Sequence, residues 1–380
     1  MAARRSVRNA LYLGTVLSLA AASGAAAEPP KVVASIKPVH SLVASVMQGV
    51  GEPELLVKGA ASPHSYSLRP SEARALSQAK MVFWVGEGME SFLIEPLEAL
   101  SGKAEVIELA GLPGIELLQA REGGAWEAHL HEDGDDHHGH GHDEHAHGEK
   151  DHGEHEAEGH ADHDEHGHDE HAHDEHGHDD HGHDDHGHEE HGHKEHGHDD
   201  HGHAEQAGKN LHLWLDAHNA EVIVQAAVRA LSQADPGNAE RYQANGTATL
   251  ARLEALEAEL KATLEPVRDT PYIVFHDAYH YFEEHYGLNA VGSISVSEGR
   301  APGAKRLYEI RKKLVESGAR CVFAEPQFEP ALVDTVIEGT SARKGVLDPL
   351  GAELTAGPGA YDALLRGLAA SLKKCLSPTA

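Results

Sequence analysis

Seven histidines lie outside one histidine-dense stretch of this chain: His40, His64, His212, His218, His276, His280 and His285. Three are set apart by position. His64 sits in the loop GASPHSYSLRPSE after the apolar run EPELLV, His212 precedes LWLD, and His276 ends the run YIVFH. Each falls at or near a point where a strand gives way to a helix, and open α/β sheets collect ligands at the carboxyl ends of their strands. Neutral imidazole suits Zn²⁺, and three imidazoles with one open or oxygen-filled position form a known zinc set. A lone histidine is more often a hydrogen-bonded core or surface residue, so the case rests on the three arriving together. Such a site loses affinity as pH falls through about 6.5, where protons compete for the ring nitrogens.

The remaining 28 of 35 histidines lie in residues 129–205, with 28 Asp or Glu and only two lysines, Lys150 and Lys194. That segment carries a net −26 of the chain's −32, leaving an ordinary −6 for everything else. Nucleic acid is excluded as a partner, since it needs a basic surface. From His166 to Glu205 the segment repeats every five residues, as HGHDE, HAHDE, HGHDD and their variants. A period of five matches neither helix nor strand, and no Leu, Ile, Val or Phe follows Leu130 in the segment to offset ordering entropy. It reads as a disordered insertion. Its histidines come in pairs two apart, such as His166 and His168, His171 and His173, His176 and His178, and His181 and His183. Flexible pairs beside carboxylates bind metal weakly because they lose freedom on binding, so they read as a low-affinity zinc trap or sensor. A merely solubilising linker would need no histidine.

The elements that must position the three histidines are of α/β type. Before the insertion, KVVASI, EPELLV, MVFWVG and AEVIEL read as strands. PVHSLVASVMQGV, LRPSEARALSQA with Ser71 as its N-cap, and MESFLIEPLEALSG read as helices. After it, a helix runs from about Ala220 to Ala234. Asp235 and Pro236 open a long one, whose apolar face of Leu250, Leu253, Leu256, Leu260 and Leu264 reaches Pro266. YIVFHDA, CVFAEP and GVLDPL then read as strands, with helices at 278–285, 304–317, 329–339 and 359–375. Strand and helix alternation implies mostly parallel sheets. The expected architecture is α/β: two similar lobes joined by one long rigid helix, with the ligand between them.

The first 27 residues stand apart. Arg4, Arg5 and Arg8 precede an apolar stretch from about Leu11 to Ala22, and Ala25 and Ala27 sit where a signal peptidase reads small residues. No cysteine follows that stretch to take a lipid, and no later segment has the ~20 consecutive apolar residues of a membrane helix. The mature chain reads as exported without a covalent membrane anchor. In an oxidising compartment its two cysteines, Cys321 and Cys375, favour a disulfide over a pair of zinc thiolates, because zinc thiolates usually come in closely spaced pairs.

GASPHSYSLRPSEARALSQAKMVFWVGEGME, NLHLWLDA, VFHDAYHYFEEHYGL, PGAKRLYEIRKKL, CVFAEPQF and LDPLG together resemble the periplasmic zinc-binding component of bacterial zinc-uptake ABC transporters, from about Lys31 to Cys375. The resemblance extends to a charged His-rich loop at this point of the chain. It implies two lobes bridged by a backbone helix and ligands carried by PHSY, HLWL and FHDAY, which are His64, His212 and His276. The fourth position is water or a carboxylate in such proteins. Pro63 stands where some have a glutamate, so the oxygen is expected from water or from Asp348 in LDPLG. Related manganese binders carry glutamate where this chain has His276, and three imidazoles favour Zn²⁺. The resemblance also implies a disulfide matching Cys321 and Cys375. A proline usual after LWLD is replaced by Ala217, which alters a helix start and no ligand. His40 reads as structural, and His280 and His285 as facing solvent or each other.

The resemblance thus implies a periplasmic protein that hands Zn²⁺ to an inner-membrane ABC permease, and a monomer is expected. The connecting helix limits hinge closure, so loading is expected to be signalled by loop ordering around His64 and His212. An extracellular zinc store or buffer and a zinc hydrolase are the alternatives; a hydrolase would need a base near the metal, and no HEXXH pairing occurs. The expected organisation is a signal peptide at 1–27, the first lobe at 28–128 and 206–235, the His-rich loop at 129–205, the connecting helix at 236–266 and the second lobe at 267–380.

Overall fold

The computed structural model of the 380-residue chain describes residues 28–100, 102–121, 125–126, 206, 208–295 and 302–378. The expected signal peptide and the histidine repeats lie outside the described residues.

Four short runs form the first sheet: β1 (Val32–Ala34), β2 (Glu54–Leu55), β3 (Met81–Trp84) and β4 (Glu105–Glu108), in the order β2-β1-β3-β4 and all parallel. A second parallel sheet repeats this order from β5 (Tyr272–Val274), β6 (Ala290–Ser293), β7 (Cys321–Ala324) and β8 (Arg343–Val346), as β6-β5-β7-β8. Residues of β1, β3, β5 and β7 are buried throughout, as strands covered on both faces must be. In each sheet the chain leaves the two central strands in opposite directions. That is the switch point at which a crevice opens at the strands' carboxyl ends.

Around the sheets lie α1 (Lys37–Met47), α2 (Pro70–Gln78), α3 (Ile94–Glu98), α4 (Ala217–Ala234), α5 (Ala239–Leu264), α6 (His280–Tyr286), α7 (Ala304–Ser317), α8 (Ala331–Ile337) and α9 (Ala360–Leu376). The long α5 rises about 39 Å at 1.5 Å per residue. Its buried face is Tyr242, Gly246, Thr249, Leu253, Leu256, Leu260 and Leu264, a spacing of three and four. A Cβ on Gly246 would lie 2.4 Å from Val228 Cγ2, so glycine is what lets α5 approach α4 so closely.

The lobes share one apolar core. It runs without a break from Val32 in β1 through Trp214 and the α5 leucines to Leu376 in α9. Hydrogen bonds cross with it: Trp214 Nε1 donates to the Pro349 carbonyl at 2.9 Å, Tyr361 Oη to the Trp214 carbonyl at 2.7 Å, and Ser41 Oγ to the Gly357 carbonyl at 2.7 Å. Cys321 in β7 and Cys375 in α9 form the expected disulfide across 54 positions, a closure that stabilises by about 4 kcal/mol on chain-entropy reasoning. No helix among the described residues is long and apolar enough to cross a membrane.

Some element boundaries differ from the sequence reading, each for a local reason. Pro70, not Ser71, opens α2, because its fixed φ suits the first helical position. Arg69 is the N-cap, and its N–H donates to Glu72 Oε2 at 2.9 Å. The expected helix across 89–102 shrinks to a 3₁₀ turn at Ser91–Leu93 and the five residues of α3. Pro96 supplies no N–H there. The buried Glu90 carboxylate accepts from the N–H groups of Val85 and Gly86 instead of joining a helix, and burial pushes its pKa up to about 7. Asp216 opens α4 three residues earlier than expected, accepting the Asn219 N–H at 2.8 Å.

Candidate metal centre

The three histidines singled out by sequence line one pocket, with Ser62, Pro63, Trp214, Gln327, Phe328, Pro349 and Leu350. Each is brought there by a different device. His276 lies two residues past the end of β5, a central strand of the second sheet, so the switch-point crevice receives it directly. His212 stands at the start of a 3₁₀ turn, Leu213–Leu215, whose three side chains are all buried and pin it. His64 occupies another 3₁₀ turn, Pro63–Ser65, where Ser62 Oγ accepts the His64 N–H at 3.3 Å.

His212 and His276 are 8% and 5% exposed, and their Nε2 atoms face each other at 3.2 Å. The other ring nitrogen of each has an unambiguous partner. Glu325 Oε1 accepts from the His276 backbone N–H at 3.3 Å and from its ring Nδ1 at 2.8 Å. Asn210 Oδ1 accepts from the His212 backbone N–H at 3.0 Å and from its ring Nδ1 at 2.9 Å. An oxygen that accepts requires a proton on each Nδ1, which leaves the Nε2 atoms as lone-pair donors. Two lone pairs pointed at each other repel unless a cation, a proton or a metal ion, lies between them. Tetrahedral zinc with Zn–N bonds of about 2.0–2.1 Å would separate neighbouring nitrogens by about 3.3 Å. The observed pair is already near that spacing.

The His64 ring lies 5.4 Å from that of His212 between centroids, and the His276 ring lies 5.1 Å from it. Among the described residues no three His, Cys, Asp or Glu side chains are drawn up as tightly as a filled metal site. The close pair is His212 with His276, and His64 flanks it. Phe328 packs edge-on to His276 at 5.4 Å between centroids, and Trp214 lies 5.3 Å from His212. These apolar walls lower the local dielectric and strengthen any interaction with a cation. Burial first, and then the Glu325 carboxylate, pushes the Tyr279 phenol well above its ordinary range, so it stays neutral beneath the site.

Glu325 was not singled out by sequence, although a signal was present. It follows β7, the other central strand of the second sheet, in the run CVFAEP. An acidic residue at the carboxyl end of a buried strand is placed for ligand or second-sphere duty.

Asp348 does not line the pocket. It follows β8, and its Oδ1 accepts from Gln327 Nε2 at 3.0 Å and from the N–H groups of Leu350 at 3.0 Å and Gly351 at 2.9 Å, while Oδ2 accepts from Ala352 N–H. Four donors thus bind its two oxygens into the turn beside the pocket wall. His40 is buried with Nε2 against the Pro53 carbonyl at 2.9 Å, and burial depresses its pKa, in keeping with a structural residue. His280 and His285 do not face each other: His280 lies 3.6 Å from Glu284, and His285 bridges Asp216 and Glu257. His166, His168, His171, His173, His176, His178, His181 and His183 lie outside the described residues.

Residues 32–375 match the family described as zinc-uptake complex component A, periplasmic. The high-affinity zinc uptake system protein ZnuA of Brucella suis is 47% identical over 355 residues, covering 93% of this chain and 94% of the relative. The protein of the same name from Yersinia pestis is 34% identical and covers 97% of this chain and 95% of its own length. Among solved structures, a crystal structure of ZnuA superposes with a TM-score of 0.62 at 22% identity, covering 92% of this chain and all of that one. The periplasmic zinc-binding protein TroA from Treponema pallidum superposes at 0.64 and 17% identity, with the same coverage. At these identities the superpositions speak for the fold.

Proposed function

The chain belongs to the family of periplasmic zinc-uptake components, solute-binding proteins rather than enzymes, and from that premise we propose that it captures Zn²⁺ between its lobes and delivers it to an ABC permease in the inner membrane. The observation that carries the proposed site is the 3.2 Å separation of two buried Nε2 atoms, with a third imidazole beside them. His212 and His276 form the preorganised seat, and His64 completes it by turning its ring toward them. Water takes the fourth position, because the Asp348 oxygens are engaged by four other donors. Nitrogen-rich coordination favours Zn²⁺ over Mn²⁺ and Mg²⁺, which prefer six oxygens. A core continuous through both lobes argues against wide hinge closure, so the loop carrying His64 is the part that reports loading. The histidine repeats between residues 129 and 205 act as a weaker zinc trap.

Zinc titration of three proteins tests both parts. The mature chain is expected to bind several ions, one far more tightly than the rest. The triple variant His64→Ala, His212→Ala, His276→Ala should keep the weak sites and lose the tight one. Deleting residues 131–203 should lower the stoichiometry and spare the tight site. A triple variant that kept the tightest site would overturn the cleft assignment. An unchanged stoichiometry after the deletion would overturn the trap.

A further inference from the structure

Asn210 is 4% exposed, and every polar group it carries is engaged. Its N–H donates to the Leu118 carbonyl at 2.9 Å, and its carbonyl accepts from Tyr281 Oη. Its side-chain Oδ1 accepts twice from His212, as described, and its Nδ2 donates to the Asp277 carbonyl at 2.6 Å. Two of these partners have no ambiguity of their own: the His212 backbone N–H only donates, and the Asp277 carbonyl only accepts. They fix which way the amide points, and the amide in turn fixes the proton on His212 Nδ1.

Asp277 follows His276 in the chain. One amide therefore touches the ring of the first-lobe histidine and the backbone immediately after the second-lobe histidine. Asp277 is held from its far side as well, where Arg121 Nε donates to its Oδ1 at 2.9 Å and Arg121 Nη2 reaches Glu283 Oε2 at 2.7 Å. Rotating Asn210 would break contacts on both sides of the site together.

We infer that Asn210 is a positioning residue that sets the relative placement of His212 and His276, one amide doing for both lobes what Glu325 does for His276 alone. The inference rests on the zinc site proposed above. An outer-sphere partner of a metal-bound imidazole is worth about 10- to 100-fold in affinity. Asn210→Leu removes the acceptor and the bridge. Asn210→Asp keeps an oxygen for His212 Nδ1–H but faces the Asp277 carbonyl with a charged acceptor in place of the donor, so it breaks the bridge alone and separates the two roles.

The test measures zinc affinity by chelator competition in the full chain, alongside ¹⁵N spectra of the imidazoles in the zinc-free protein. Asn210→Leu is expected to weaken the tight site about 10- to 100-fold, Asn210→Asp to recover only the part owed to the His212 acceptor and to stay several-fold weaker than wild type, and wild-type His212 to carry its proton on Nδ1. A loss under about threefold in Asn210→Leu overturns the inference, as does a wild-type His212 found without a proton on Nδ1. The spectrum decides even where Asn210→Leu fails to fold. His212→Ala, measured in parallel, separates the two levels. If it keeps the tightest site, the zinc-site proposal fails; if it loses that site while Asn210→Leu does not, only the role of Asn210 fails.

Discussion

His212 and His276 are deeply buried, each gripped through backbone and ring by one side chain, whereas His64 is half-buried on a turn flanked by exposed Gly59, Ala60 and Ser65. Gly59 adopts φ +70°, a left-handed conformation that suits a turning loop. The contrast divides the proposed site into two kinds of ligand. The pair is held in position before any ion arrives, so little ordering entropy is lost when one binds. The third must be recruited from a loop, and its ordering costs about 1–2 kcal/mol per fixed residue. Affinity then resides chiefly in the pair, and the structural signal of loading resides in the loop.

Single substitutions at the pair should have the largest effect. An apparent zinc binding energy of about 10–16 kcal/mol spread over four ligands gives roughly 3 kcal/mol each, or about 100-fold. His212→Ala or His276→Ala is expected to cost at least that, measured by chelator competition. His64→Ala should cost less, because part of what its imidazole contributes is offset by ordering the loop; equal losses at all three positions would erase the contrast. Next in size is Glu325→Leu, which removes the acceptor for His276 Nδ1–H and should weaken binding about 10- to 100-fold, while Glu325→Gln, which keeps an acceptor, should lose less.

The smallest effect lies outside the pocket, at His285. Asp216 at 3.6 Å, and with it Glu257 at 3.2 Å, raises the His285 pKa above its ordinary value, despite the opposing effect of burial. A raised folded-state pKa means that the stabilisation is fully present below about pH 6.5 and fades as pH climbs through the raised value. His285→Gln should therefore destabilise by up to about 1 kcal/mol near pH 5.5 and by almost nothing near pH 9, read from denaturant unfolding at both pH values. A loss that grew with pH would contradict the charged-bridge picture.

Much of this was legible in the sequence, for reasons that can be named. Strands such as MVFW and CVFA are apolar on both faces because parallel sheets are covered on both faces, and the β1 and β5 lobes follow from their alternation with helices. His276 was visible because it ends an apolar strand, where side chains emerge at the crevice. Glu325 ends the neighbouring strand in the same way, yet only strand order reveals that β5 and β7 are adjacent. Strand order is a long-range property that local pattern does not encode. Asp348 illustrates the converse. Its motif marked it as a candidate oxygen, but the next residues turn sharply, and their N–H groups converge on its carboxylate. Asn210 opens the run NLHLWLDA, but its bond to the Asp277 carbonyl joins residues 67 apart, a contact that local pattern does not encode.

The central claim is that one ion is held by imidazoles from both lobes. X-ray absorption at the zinc edge tests it most directly, on the protein lacking residues 131–203 and loaded with one equivalent of Zn²⁺. The expected result is a four-coordinate shell with three imidazole nitrogens at about 2.0–2.1 Å and one oxygen, reduced by one imidazole in His276→Ala. A shell dominated by oxygen, or one unchanged by His276→Ala, would contradict it.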